Sequence, residues 1–166
     1  MSPTKATCTR CLPGRAEAYL DESRFGEVTG FTNPLESEHD SFVLGHTGTS
    51  ISLACGLAKT RDMQHTAAGA SEIGNVIAII GDGSLSSAIA FEGLNNAAEQ
   101  GGNLIIVVND NEMSIAEDFG GMYGNLARLR ASNGTAELNL FKRSDLTTVM
   151  WSRATMWTRW SRRLKT

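Results

Sequence analysis

The stretch IIGDGSLSSAIAFEGL, residues 79–94, sets two glycines around an aspartate directly after an apolar run. A second polar knot, NDN at 109–111, follows the GDG after 25 intervening residues and also closes an apolar run. The two runs, NVIAII (75–80) and NLIIVVN (103–109), are short and β-branched, as suits strands buried on both faces. Between them Ser84 to Gln100 reads as a helix, with Leu85, Ala88, Ile89, Phe91, Leu94 and Ala98 near one face and Gly101-Gly102 ending it. Strand, helix and strand in this order predict a βαβ unit, hence a parallel sheet with a right-handed crossover. Ligands of such sheets bind at the carboxyl ends of the strands. GDG and NDN both fall there, so they are expected to lie side by side.

The residue types point to a phosphate and a cation. Glycines at 81 and 83 are expected to take positive φ and let backbone approach a ligand closely. The start of the following helix directs N–H groups and the positive end of its dipole to the same place, which suits a phosphate. Asp82 alone would repel that phosphate, and a bound cation resolves the conflict. Magnesium is a hard ion that takes one or two protein oxygens together with phosphate oxygens. Asp82 would carry the charge, and an Asn side-chain oxygen from the second knot would complete the protein ligands. Upstream, GHTGTSISLACGLAKTRDM (45–63) opens with Gly and Thr and continues as a helix bearing Ile51, Leu53, Ala54, Leu57 and Ala58.

Composition excludes several classes. At 166 residues, 41% apolar and 20% charged, the chain fits one soluble globular domain. Its apolar runs are too short to span a bilayer, and no basic start with an apolar stretch marks a signal peptide, so a cytoplasmic location is expected. Three cysteines do not make a disulfide scaffold. Cys8 and Cys11 form one CxxC without a second pair, and Cys55 is expected in the core. The net charge is −3, but residues 142–166 hold seven Lys/Arg against one acid, with all three tryptophans and no glycine.

With GDG, the 25-residue interval and NDN in place, the chain resembles the transketolase-like thiamine diphosphate enzymes. ESEHDSFVLGHTGTSISLACGLA, VIAIIGDGSLSSAIAFEGLNNA, IIVVNDNEMSIAED and NGTAELNLFK together resemble the 1-deoxy-D-xylulose-5-phosphate synthase family, from about Gly14 to Lys142. The resemblance implies a Rossmann-like α/β diphosphate-binding domain, here incomplete, with thiamine diphosphate and Mg2+ as cofactors. Asp82, Asn111 and the Met113 carbonyl would hold the metal; Gly45, His46, Thr47, Gly83, Ser84 and Asn111 would line the cofactor. It implies pyruvate and glyceraldehyde 3-phosphate as substrates, loss of CO2, and a homodimer, with no nucleic-acid or membrane partner. The family's activating glutamate belongs to a separate domain, so no catalytic acid or base is assigned here; Glu92 and Glu112 lie near the site without that role. The alternatives are a transketolase-like amino-terminal piece and a decayed fragment that binds no cofactor.

Three segments are therefore expected: a divergent 1–13, a partial cofactor domain over 14–142, and an atypical tail over 143–166. TCTRCLPGR (7–15) and TTVMWSRATMWTRWSRRL (147–164) read as out-of-phase shadows of family-like sequence. A frame slip at both ends is the expectation, and a tail without structure follows from it.

Overall fold

A computed structural model describes residues 14–68, 74–101, 103–112, 119–144, 146–152 and 155–159. The chain divides between His46 and Thr47 into two compact units. The first carries one short helix, α1 (Ala16–Leu20), a 3-10 turn (Glu22–Arg24), and a bridge between Thr32 and Leu44.

Polar contacts organise this first unit. Arg15 is 4% exposed. Its Nε donates to Glu36 Oε2 at 3.1 Å, and its Nη2 donates to Asp40 Oδ2 at 2.5 Å and to the Asn33 carbonyl at 3.4 Å. Asp40 Oδ2 also accepts the Asn33 N–H at 2.6 Å, and Glu36 Oε1 accepts the Thr29 N–H at 3.0 Å. The Arg15 guanidinium holds the Asp40 carboxyl below its usual range, and the Thr29 N–H does the same for Glu36. For a carboxyl whose folded pKa is depressed, the stabilisation is complete above the unfolded value, about pH 4, and vanishes as pH falls through the folded value. Acid titration is therefore expected to shift the amide signals of residues 29–40 below about pH 4, and Arg15→Met to move the Asp40 part of that transition to higher pH. Signals unchanged to lower pH would contradict it.

The second unit holds the sheet. Its elements are α2 (Ser50–Ala68), β1 (Val76–Gly81), α3 (Asp82–Leu85), α4 (Ala88–Gln100), β2 (Leu104–Asn109), α5 (Gly121–Ala131), α6 (Leu140–Arg143), β3 (Thr147–Ser152) and β4 (Thr155–Arg159). β1 and β2 pair in parallel from Val76↔Leu104 to Gly81↔Asn109. The β1–α4–β2 connection is the α/β unit that the apolar runs predict. α2 packs on β1 and β2, and α4 packs on α2.

Strand alternation decides the core. Ala78, Ile80, Leu104, Ile106 and Val108 share the buried face with Ile51, Leu85, Leu126, Leu129 and Phe141. The opposite face is open: Ile77 is 51% exposed and Ile79 67%. The expectation of strands buried on both faces is thus corrected for β1, because α2 covers only one side.

Three further differences have local causes. The helix expected over 84–100 is broken into α3 and α4, because Ser87 turns out of helical geometry (ψ 148°) and caps α4, its Oγ accepting the Ala90 N–H. The buried face of α4 is Ala90, Gly93, Leu94 and Ala97, whereas Phe91 is exposed. Small residues win that face because α2 comes so close: a Cβ on Gly93 would lie 3.0 Å from the Ile51 side chain. Finally, the tail expected to lack structure forms β3 and β4. β4 adds antiparallel to β2, giving the order β1-β2-β4-β3. Thr, Val, Met and Trp in TTVMWS and TMWTR favour extended backbone, whatever produced the sequence.

Among the described residues no helix is long and apolar enough to cross a membrane. Cys55 is buried and free; Cys8 and Cys11 lie outside the described residues.

Candidate cofactor site

The parallel register sets Gly81 beside Asn109, so the chain leaves both strands at the same rim of the sheet. From β1 it turns at once into α3, whose first residue is Asp82. Asp82 is 3% exposed. Its Oδ1 accepts the Gly83 N–H at 2.9 Å and its Oδ2 accepts the Asn111 N–H at 3.3 Å. The second contact joins the GDG and NDN loops directly.

The electrostatics at that junction are strained. Burial raises the Asp82 carboxyl above its ordinary range; the N–H of Gly83 offsets part of this, and the neighbouring Asp110 carboxyl adds to the rise. Asp110 is itself 3% exposed. It pairs with Arg130 near the end of α5, and its Oδ1 accepts the Glu112 N–H at 3.2 Å. Arg130 Nε also reaches Glu112 Oε1 at 2.7 Å. Glu112 sits at φ 62°, a left-handed conformation that is uncommon for a residue with a side chain.

Gly81 and Gly83 do not take positive φ, contrary to expectation. Gly81 has φ −80° because it continues the strand, and Gly83 lies within the helical turn of α3. The left-handed glycine of this unit that faces the same loop is Gly48, at φ +87°. A Cβ there would lie 2.0 Å from Ser87 Oγ and 3.3 Å from the Ser84 carbonyl oxygen. Gly48 therefore lets the segment that opens α2 approach α3.

The remaining expected residues are distributed as follows. Gly45 and His46 belong to the first unit and are exposed, Gly45 against the Phe31 ring. Asn111 and Thr47 are exposed in the second. Met113 lies outside the described residues. Glu92 is an exposed residue of α4. Among the described residues no three His, Cys, Asp or Glu side chains gather as a metal cluster. The donor set at the rim is of a different kind: one buried carboxylate with an amide-bearing loop in hydrogen-bond contact. That set fits a hard cation shared with a phosphate, which needs few protein ligands.

Asp110, expected from the sequence only to shape the turn, does so through the Glu112 N–H and is in addition the buried partner of Arg130; Arg130 and Gly48 carry no expectation from the sequence. Asp110 was visible as the centre of NDN, but a turn aspartate and a buried one look alike in sequence. The GHTG spacing was the available sign for Gly48. Arg130 has no local sign.

Comparison with known proteins agrees with the motifs. A family model described as 1-deoxy-D-xylulose-5-phosphate synthase, amino-terminal part, matches residues 5–166. A 1-deoxy-D-xylulose-5-phosphate synthase of Pelotomaculum thermopropionicum is 44% identical over 121 residues, covering 73% of this chain and 18% of the relative. That of Desulforudis audaxviator is 47% identical over 121 residues, with the same coverage. That of Bacteroides fragilis is 42% identical over 137 residues, 82% of this chain and 20% of the relative. The chain thus spans a fifth or less of the length of these relatives.

Proposed function

Since the chain belongs to the 1-deoxy-D-xylulose-5-phosphate synthase family, we propose that it carries the magnesium–diphosphate half of a thiamine diphosphate site. The whole protein would be a transferase that joins the two-carbon remainder of pyruvate, after loss of CO2, to the aldehyde of glyceraldehyde 3-phosphate. The observation that carries this reading is the contact between loops: a buried Asp82 carboxylate receiving the Asn111 N–H from the neighbouring strand end.

Asp82 supplies the negative charge that holds Mg2+, with the Asn111 side chain and the Met113 carbonyl as the other protein ligands. Gly83 and Ser84 would line the diphosphate at α3, with Thr47 as a further lining residue of the same unit. When bound, thiamine diphosphate supplies an acidic thiazolium carbon able to add to a ketone. This chain's residues bind and orient; no acid or base of the reaction is assigned to them. Substrate turnover and homodimer formation belong to the longer protein.

Calorimetric titration of the 166-residue chain with thiamine diphosphate tests the reading. Saturable heat is expected with Mg2+ and not with EDTA. Absence of saturable heat under both conditions would favour the second reading, a fold that keeps the loops but binds no cofactor.

A further inference from the structure

Arg130 is the one cation seen to bridge both acids of the NDNE loop among the described residues, pairing with Asp110 and, at 2.7 Å, with Glu112. Its side chain is 21% exposed and that of Asp110 only 4%. Neither residue is a ligand in the reading above, which leaves their pairing without a purpose there. Without it, two buried carboxyls, Asp82 and Asp110, would face each other across the loop junction.

We propose that Arg130 is a positioning residue for the cofactor: it cancels the charge of Asp110 and locks the Asn111–Glu112 backbone, so that the diphosphate meets one net carboxylate rather than two. This rests on the cofactor reading of the site and adds a residue to it. A like-charge pair attracts a bare divalent cation at least as strongly as one carboxylate does. The diphosphate, by contrast, is repelled by the extra charge. Charge cancellation therefore matters for the anion, and locking matters for the Asn111 amide that contacts Asp82. The positive φ of Glu112 is held from both ends, by Asp110 Oδ1 on its N–H and by Arg130 on its side chain.

The test uses the full 166-residue chain in two measurements. Amide hydrogen exchange without ligand comes first. Arg130→Met is expected to speed exchange at Asn111 and Glu112 at least about tenfold, with Leu104–Val108 unchanged. Unchanged rates at 111 and 112 overturn the inference whatever the binding result. Titration comes second. Arg130→Met is expected to weaken thiamine diphosphate binding in Mg2+ by about tenfold or more, while Mn2+ alone binds as tightly as to wild type or more so. A general loss of structure would weaken both. Adding Asp110→Asn to Arg130→Met removes both charges of the pair and is expected to restore part of the lost thiamine diphosphate affinity, while exchange at Glu112 stays fast because the Arg130 contact is gone. Should Arg130→Met fail to fold, this double variant decides alone: binding lost in a folded double variant overturns the inference. Absence of binding by wild type refutes the cofactor reading instead, and the exchange measurement still judges the lock.

Discussion

Asp82→Asn is expected to weaken magnesium-dependent thiamine diphosphate binding by roughly a hundredfold while leaving the empty chain folded, the relief of a buried charge offsetting one lost N–H acceptor. Asparagine keeps one oxygen, enough for one of the N–H groups of Gly83 and Asn111 that Asp82 Oδ1 and Oδ2 now accept at 2.9 and 3.3 Å, and its NH2 would face the other. It removes a charge that is 3% exposed and lies beside a second carboxyl. Burying a charge costs free energy unless a partner compensates it, and the compensating partner proposed here is the cation. Loss of the metal's charged ligand should weaken binding by roughly a hundredfold, or about 2.8 kcal/mol. The same change relieves desolvation and like-charge repulsion in the empty protein. Thermal melts and titration calorimetry of one preparation check both halves. A melting point lowered by several degrees, with binding retained, would mean that Asp82 is structural.

Gly48→Ala is expected to destabilise the second unit by about 3 kcal/mol, from a left-handed backbone cost of roughly 1–2 kcal/mol and an overpacking cost of similar size. The clash is specific. An added Cβ would stand 2.0 Å from Ser87 Oγ and 3.0 Å from Ser87 Cβ. Ser87 cannot simply swing aside, because its Oγ accepts the Ala90 N–H at the start of α4. Ser87→Gly in the Gly48→Ala background should recover the steric part and leave the backbone part. Urea denaturation of the wild type and the two variants measures this. A Gly48→Ala change within about 0.5 kcal/mol of wild type would show that the approach of this segment to α3 is looser than described.

The part of the fold that was legible is the part written in local pattern. VIAII and LIIVV have the length and branching of strands, and the helical stretch between them forces a parallel pair; Gly81↔Asn109 follows from that topology. The placement of the GDG and NDN loops at one rim of the sheet is therefore legible in the sequence. What failed depends on neighbours distant in sequence. Phe91 has the hydrophobicity of a core residue, but the buried face of α4 is Ala90, Gly93, Leu94 and Ala97, and α2 comes within 3.0 Å of where a Cβ on Gly93 would lie. Ile77 and Ile79 look like the inner residues of a doubly covered strand, yet one side of β1 is exposed. Ser86 and Ser87 sit inside a helical pattern and break it, because a serine cap competes with continuation of the helix. Arg130 follows Asp110 by 20 residues on another element, and only the packing of Leu126 and Leu129 brings it back to the rim. No spacing rule contains that contact. The tail misled for a different reason: its composition is foreign to the rest, but backbone pairing needs extended geometry and not a particular origin.

The central claim is that two loops at one rim of the sheet hold one divalent ion against a diphosphate. Mn2+, a paramagnetic substitute for Mg2+, tests it directly when added with thiamine diphosphate to the isotopically labelled chain. The amide signals of Asp82, Gly83, Ser84 and Asn111 are expected to broaden together at substoichiometric Mn2+, ahead of those from exposed acids such as Glu17 and Glu92. Broadening of one loop without the other, or first at the exposed acids, would contradict it.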